Sequence, residues 1–326
     1  MKIAMRKDRY IMKINVLDAS TLGADIDLSG FSKLGEVEVF ETTSAEQTPD
    51  HSVGADVLVL NKVKINENTL PDTDNIKLIC ITATGFDNVD LDYCRSKYIA
   101  VCYVVGYSTD SVAQTTVASA LYLFNHLPEF TRHVREGKYT DGGVANCLSP
   151  IFHEIRGKTW GIVGCGNIGA KVARVAEALG CKIIVNKRTP SEEFETVDID
   201  TLCKESDIIS IHTPLNENTK GLISREKISL MKNDVIIVNV ARGAVTDENA
   251  IADAIKNRQI GGFACDVYSV EPFGKEHPYN DIMHLDNVCL TPHMAWGASE
   301  ARARCIDEIC KNIEAFFGGE RRCRVD

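Results

Sequence analysis

The stretch Thr159-Trp160-Gly161-Ile162-Val163-Gly164-Cys165-Gly166-Asn167-Ile168-Gly169 limits the possible folds of this chain more than any other. It reads as a short apolar strand, a G-x-G-x-x-G turn and a helix over about 168–179, with a second apolar strand at 182–185. Gly164 permits the tight turn, Gly166 lets a pyrophosphate approach the backbone, and Gly169 lets the helix pack close to the strand. The pyrophosphate would sit at the helix N-terminus, with Asn167 and Ile168 beside it, where free N–H groups and the helix dipole favour an anion. The glycines alone could make an ordinary turn. The strand before them and the helix and strand after them point to dinucleotide binding.

The chain of 326 residues suits about two domains, and 44% hydrophobic residues supply sizeable cores. Apolar runs at 13–17, 37–40, 56–60, 76–81 and 99–104 alternate with helix-compatible segments. This is the pattern of a parallel α/β domain without a glycine fingerprint. A long helical pattern at 108–125 leads toward the fingerprint and marks the domain crossing. The βα rhythm then resumes, with strand candidates at 207–212, 235–241, 262–267 and 288–290 and helices at 225–231 and 247–257. The final helix, 299–317, is expected to return to the first domain. The expected architecture is α/β: residues 1–107 and 297–326 form a substrate domain, and residues 108–296 form a dinucleotide domain. The segment 132–154 reads as irregular, either a surface excursion or a dimer arm; Phe130, Val134, Tyr139, Val144 and Leu148 give the wider segment 127–150 an apolar surface for a neighbour.

Charge and cysteine usage narrow the function. With 46 acidic and 36 basic residues the net charge is −10, and no basic cluster extends beyond Arg321-Arg322. Nucleic acid and anionic membranes are therefore not expected partners. No apolar run approaches the ~18 residues needed to cross a bilayer. The charged start lacks a secretory apolar core, and Met12 is an alternative start after a disordered leader. None of the twelve cysteines forms a C-x-x-C pair, so buried reduced thiols, a cytoplasmic setting and no metal site are expected.

Strand ends carry the candidate chemistry. Asn61-Lys62 and the small-residue turn Thr82-Ala83-Thr84-Gly85-Phe86 lie where open α/β sheets bind ligands, although the turn can equally be an ordinary one. Its backbone N–H groups could take a carboxylate. After the second strand of the fingerprint unit the chain reads Asn186-Lys187-Arg188-Thr189, where NAD sites usually carry an acid for the ribose 2′-OH. Two cations and a hydroxyl there suit a 2′-phosphate, so NADP(H) is favoured and NAD(H) is the alternative. Arg242 follows Asn239-Val240-Ala241 and can grip a carboxylate bidentately. Glu271 follows Tyr268-Ser269-Val270, and His293 follows Thr291-Pro292. Each could be an ion pair, a loop acid or a structural histidine alone; together, on successive strand ends around a dinucleotide fold, they make a hydride-transfer site.

On these motifs the chain resembles the D-isomer-specific 2-hydroxyacid dehydrogenases along nearly its whole length. The resemblance rests on the fingerprint, His212-Thr213-Pro214-Leu215-Asn216, Met231-Lys232, the 238–243 run, Asp266-Val267-Tyr268 through Glu271-Pro272, and Thr291-Pro292-His293. It implies that Arg242 binds substrate, that His293 is the acid/base and that Glu271 pairs with it. It also implies that Asp266, Thr213, Pro214, Val240, Ala241, Arg242, His293 and the fingerprint glycines line the nucleotide. A flavodoxin-like substrate domain, a Rossmann domain and a homodimer are further implications. Gly106 through Gln114 and His293-Met294-Ala295-Trp296 look most like glycerate dehydrogenases, also called hydroxypyruvate reductases. The chain departs from the family pattern at Val105 (commonly proline), Gln114 (commonly glutamate) and Lys187 (commonly an acid).

The expected reaction is reversible reduction of a small 2-keto acid, hydroxypyruvate or glyoxylate favoured, to a D-2-hydroxy acid. His293 as imidazolium would protonate the developing alkoxide, and Glu271 would stabilise that imidazolium. Arg242 would hold the carboxylate from one side. The backbone of Ala83, Thr84 and Gly85 would hold it from the other, with Trp296 beside the substrate. The alternatives are a reductase of a bulkier 2-keto acid and a nucleotide-sensing, corepressor-like binding protein. The complete Arg242/Glu271/His293 set speaks against the latter.

Overall fold

The computed structural model describes residues 11–326, so the expected leader before Met12 lies, as far as residue 10, outside the described residues. The chain forms two compact units: residues 11–108 with Gly297–Asp326, and Thr109–Trp296.

The first unit holds a five-stranded sheet of β1 (Lys13–Val16), β2 (Glu36–Val39), β3 (Val57–Leu60), β4 (Leu78–Ile81) and β5 (Ala100–Cys102). All pairings are parallel and the order is β2-β1-β3-β4-β5. The central strands β3 and β4 are apolar at every position and buried on both faces, as an interior parallel strand requires. At the edge, β2 alternates Glu and Val, so both its faces need not be buried. The last helix, Ser299–Phe317, belongs to this unit. It turns Ala301, Cys305, Ile309 and Ile313 inward at helical spacing. Arg304 and Asn312 on it donate to the carbonyls of Tyr107 and Tyr103, which follow β5.

The second unit holds seven parallel strands: β6 (Thr159–Val163), β7 (Lys182–Asn186), β8 (Glu195–Thr196), β9 (Ile208–Ile211), β10 (Ile236–Asn239), β11 (Gly262–Cys265) and β12 (Val288–Leu290). Their order is β12-β11-β10-β9-β6-β7-β8. The order reverses between β6 and β9, which makes their carboxyl ends the switch point where such sheets bind ligands. Helix Thr109–Phe124 covers one face, with Ala113, Ala120 and Leu123 packed among Trp160, Ile162, Val172 and Ala173. On the other face Leu202, Ile228, Ile251 and Ile255 pack against Ile209, Ile211, Ile237 and Phe263.

The structure adds one strand and corrects one local reading. The short edge strand β8 lies in a segment that carries no alternating apolar pattern. The arm expected to be irregular begins with helix Leu127–Arg135 and a further turn, Lys138–Asp141. Pro128 sits in the first turn, where its missing N–H costs nothing, after His126 has broken the previous helix with φ +50°. Leu127, Phe130 and Val134 then share one face, and no residue of this helix is buried. An apolar stripe that short is easily read as loop.

Candidate active site

The fingerprint in the second unit has the geometry its glycines imply. Gly164 lies at φ +88°, and a Cβ there would stand 2.7 Å from the Thr213 nitrogen. Glycine thus lets the turn after β6 touch the segment after β9, bringing Thr213 to the fingerprint. Gly169 would put a Cβ 2.2 Å from the Gly164 carbonyl oxygen, so glycine sets the close approach of helix Asn167–Ala178 to its strand. At Gly166, the N-cap, none of the described residues comes within 4 Å of an added Cβ. The first turn carries no acid. Open space over unobstructed helix N–H groups fits a pyrophosphate. Pro214 is exposed beside it.

A cleft of about 610 Å³ opens next to the fingerprint, lined by Cys165, Ala170, Lys187 and the loop from Pro190 to Phe194. Lys187 is therefore in the wall, whereas Arg188 and Thr189 are exposed and outside it. The loop also brings Glu192 and Glu193 to the wall. Among the described residues neither Lys187 nor Arg188 makes an ion pair.

Below the switch point, Trp160 donates its indole N–H to Ser210 Oγ at 2.9 Å, and His212 Nε2 lies 3.0 Å from the same oxygen. His212 Nδ1 is closed off from solvent and has no hydrogen-bond partner among the described residues. Burial pushes the His212 imidazole down to about 3, so this ring stays neutral.

The chemistry-bearing side chains stand on the other half of the sheet. Asn239, Cys265 and Leu290 end β10, β11 and β12 in register, which places the three following loops side by side. Asn239 is fully buried, accepts from the Ala241 N–H at 3.1 Å and donates to the Arg242 carbonyl at 3.0 Å. This side chain closes the turn that presents half-buried Val240, Ala241 and Arg242, and Arg242 Nη1 donates to the Ala241 carbonyl at 2.8 Å. Gly243 follows; a Cβ there would collide with the backbone of Tyr268 and Ser269. The Arg242 turn thus packs directly against the Glu271 loop.

Glu271 and His293 form a pair. Glu271 Oε1 accepts from the Tyr268 N–H at 2.9 Å, and Oε2 lies 2.5 Å from His293 Nδ1. Both side chains are about a quarter exposed, at 29% and 26%. His293 sits at φ +54°, a left-handed conformation that a non-glycine residue holds only when its surroundings fix it. Asp266 supplies much of that fixing. It is 2% exposed, and its carboxylate accepts from Thr291 Oγ1 at 2.6 Å and from the Met294 and Ala295 N–H groups at 2.8 Å each. Asp266, expected along the nucleotide, thus has both oxygens engaged with the loop on either side of His293. Trp296 is half-buried at the end of that loop.

Glu248 holds the other loop: it accepts from the Ser269 N–H at 2.9 Å and the Ser269 hydroxyl at 2.5 Å, and lies 3.1 Å from His277 Nε2. The sequence alone does not mark Asn239, Gly243 and Glu248, nor the hold of Asp266 on the His293 loop. A buried polar side chain between two loops leaves no periodic signal; only an acid or amide in an apolar strand end hints at one.

In the first unit, Ala83, Thr84 and Gly85 follow β4 as expected. Their N–H groups donate no hydrogen bond within the described residues, while the Ala83 carbonyl and Thr84 hydroxyl are tied to Val104. Asn61 and Lys62 instead donate their N–H groups to buried Asp18. Among the described residues no cluster of His, Cys, Asp and Glu could hold a metal ion, and no helix is long and apolar enough to cross a membrane. All twelve cysteines are free thiols.

Residues 117–295 match the family described as D-isomer specific 2-hydroxyacid dehydrogenase, NAD binding domain. A hydroxypyruvate reductase of Blautia hydrogenotrophica is 32% identical over 317 residues, covering 94% of this chain and 98% of that protein. Among solved structures, an acyclic imino acid reductase in complex with NADPH and D-Arg superimposes with a TM-score of 0.84 at 28% identity, over 97% of this chain and 100% of the other. D-Lactate dehydrogenase from Aquifex aeolicus, complexed with NAD and lactic acid, gives 0.83 at 27% identity over 94% and 96%.

Proposed function

The chain belongs to the D-isomer specific 2-hydroxyacid dehydrogenases, and on that premise we propose that it reduces a small 2-keto acid, hydroxypyruvate or glyoxylate, reversibly to the D-2-hydroxy acid. The observation that carries the reading is the Glu271–His293 pair, held 2.5 Å apart on loops that end adjacent strands. A nicotinamide dinucleotide is the cofactor of this family's Rossmann unit, and when bound it supplies the hydride for the carbonyl carbon.

The chain's own groups do the rest. Gly164, Gly166, Asn167, Ile168 and Gly169 take the pyrophosphate, and Thr213 and Pro214 flank it. His293, held through Nδ1 by Glu271, presents Nε2, which has no partner among the described residues, to donate the proton that the new alkoxide needs. Glu271 and Asp266 keep the ring in place. Arg242 grips the substrate carboxylate; in the other unit the N–H groups of Ala83, Thr84 and Gly85 are available to an anion. Unit Thr109–Trp296 serves as the dinucleotide domain and the other unit as the substrate domain.

Lys187 in the cleft wall supports NADP(H) as the preferred cofactor, with NAD(H) the alternative. The exposed Val134, Leu148 and Ile151, at 59%, 70% and 77%, support a homodimer in which a second copy covers the arm. The buried free thiols favour a reducing, cytoplasmic setting.

The test is a panel of hydroxypyruvate, glyoxylate, pyruvate and an aryl pyruvate, each with NADPH and NADH, on a preparation sized by light scattering. The proposal expects the two small acids to give the highest kcat/KM, NADPH to exceed NADH, and a dimer. Preference for the aryl acid, for NADH, or a monomer at micromolar concentration would each overturn its part.

A further inference from the structure

We propose that the Arg174–Glu193 ion pair sets how strongly the adenosine cleft distinguishes a phosphorylated from an unphosphorylated ribose, by binding a wall carboxylate that would otherwise oppose Lys187. The inference rests on the reading that this cleft takes the adenosine end of the dinucleotide.

The wall is mixed in charge. Lys187 comes from the end of β7, and Glu192 and Glu193 come from the loop that follows. Left to themselves, the two carboxylates would outweigh the one ammonium, and a ribose 2′-phosphate would meet net repulsion. Arg174, on the fingerprint helix, changes that balance. Its Nε and Nη2 each lie 2.7 Å from a different oxygen of Glu193, a two-pronged contact that fixes both the position and the charge of the carboxylate. With Glu193 held this way, Arg174 and Lys187 together balance the two acids.

Two further observations place these charges around one point. The Cys165 thiol, inside the fingerprint and in the cleft wall, is raised first by burial. Lys187 and Arg174 pull it down and Glu193 pushes it up, so all three charges are felt at one group of the wall. The loop is also short of freedom: Phe194 is 7% exposed, and Ser191 Oγ accepts from the N–H groups of Glu193 and Phe194. The backbone of Glu193 is therefore held at the wall if Arg174 is lost. The pair itself is half exposed, at 56% and 46%, so its worth to folding is small. Its consequence lies in the charge presented to a ligand.

The test is calorimetric binding of two fragments, 2′,5′-ADP and 5′-AMP, at low ionic strength, read as the ratio of their affinities. A general weakening of the adenosine pocket cancels in that ratio. Arg174→Ala should lower the ratio about fivefold, the scale of one unit charge at several ångströms near a surface. Glu193→Gln should raise it by a similar factor. The double variant should return to within about twofold of the wild-type ratio, because the freed carboxylate is gone. Arg174→Lys, which keeps the charge but not the fork, should fall between wild type and Arg174→Ala. An unchanged ratio in Arg174→Ala, or a double variant no better than Arg174→Ala, would overturn the inference. The wild-type ratio alone judges the NADP(H) reading, so the two can fail separately.

Discussion

The two halves of the seven-stranded sheet build their sites in different ways. After β6 the work is done by backbone: Gly164, Gly166 and Gly169 remove side chains so that a turn and a helix can come close while the N-cap stays open. At β10, β11 and β12 it is done by side chains that hold loops: Asn239 closes the Arg242 turn, Asp266 pins the His293 loop and Glu248 pins the Glu271 loop. A glycine cradle tolerates many neighbours provided it stays empty. A held loop fails when one buried oxygen is lost, because orienting a reacting group demands tighter placement than enclosing a phosphate.

A matched pair of substitutions tests that contrast with the largest expected effects. Asp266→Asn turns an amide toward N–H groups that need an acceptor, and His293 loses its fixed position. Reduction should fall by about 10–100-fold in kcat, the scale of a misplacement near 1 Å, with dinucleotide affinity little changed. Gly166→Ala puts a methyl into open space, so stability should hold while dinucleotide affinity falls by about tenfold. Stopped-flow turnover and fluorescence titration of NADPH separate the two. If Asp266→Asn chiefly weakens the dinucleotide and spares kcat, Asp266 belongs to the nucleotide site, and the division drawn here fails.

His212 sits between the halves and should show a smaller effect of another kind. Its imidazole is held down to about 3 in the folded chain, against about 6.5 when unfolded. The unfolded state therefore binds the extra proton first as pH falls. Stability is intact above about 6.5 and is lost progressively down toward 3, amounting to about 2 kcal/mol at pH 5. His212→Leu should flatten this part of the pH dependence in urea unfolding at pH 5 and pH 7, whatever it does to stability at pH 7. An equally steep dependence in the variant would place the acid sensitivity elsewhere.

The same contrast explains what could be read beforehand. The fingerprint, the strand rhythm and the trio Arg242, Glu271 and His293 were legible, since glycine spacing, apolar runs and chemistry-bearing residues after strands are local patterns. Asp266 is legible as an acid at a strand end, but its hold on a loop 25 residues on is not, because nothing local marks which segment such an acid faces. Glu248 and Asn239 read as ordinary helix and strand residues for the same reason. Glu192 and Glu193 carry no local sign that their loop comes to the cleft wall beside Lys187. The helix Leu127–Arg135 was too short and too exposed to announce itself.

The central claim is that Glu271 holds His293 as the proton donor of the reduction. The most direct measurement is kcat for hydroxypyruvate reduction in wild type, His293→Gln, Glu271→Gln and the double variant. Each single variant should lose about 10²-fold or more, and the double variant little more than the worse single one, because the two side chains act as a unit. A Glu271→Gln variant within about twofold of wild type, or losses that multiply in the double variant, would contradict the account, showing that the pair seen 2.5 Å apart does not govern the proton.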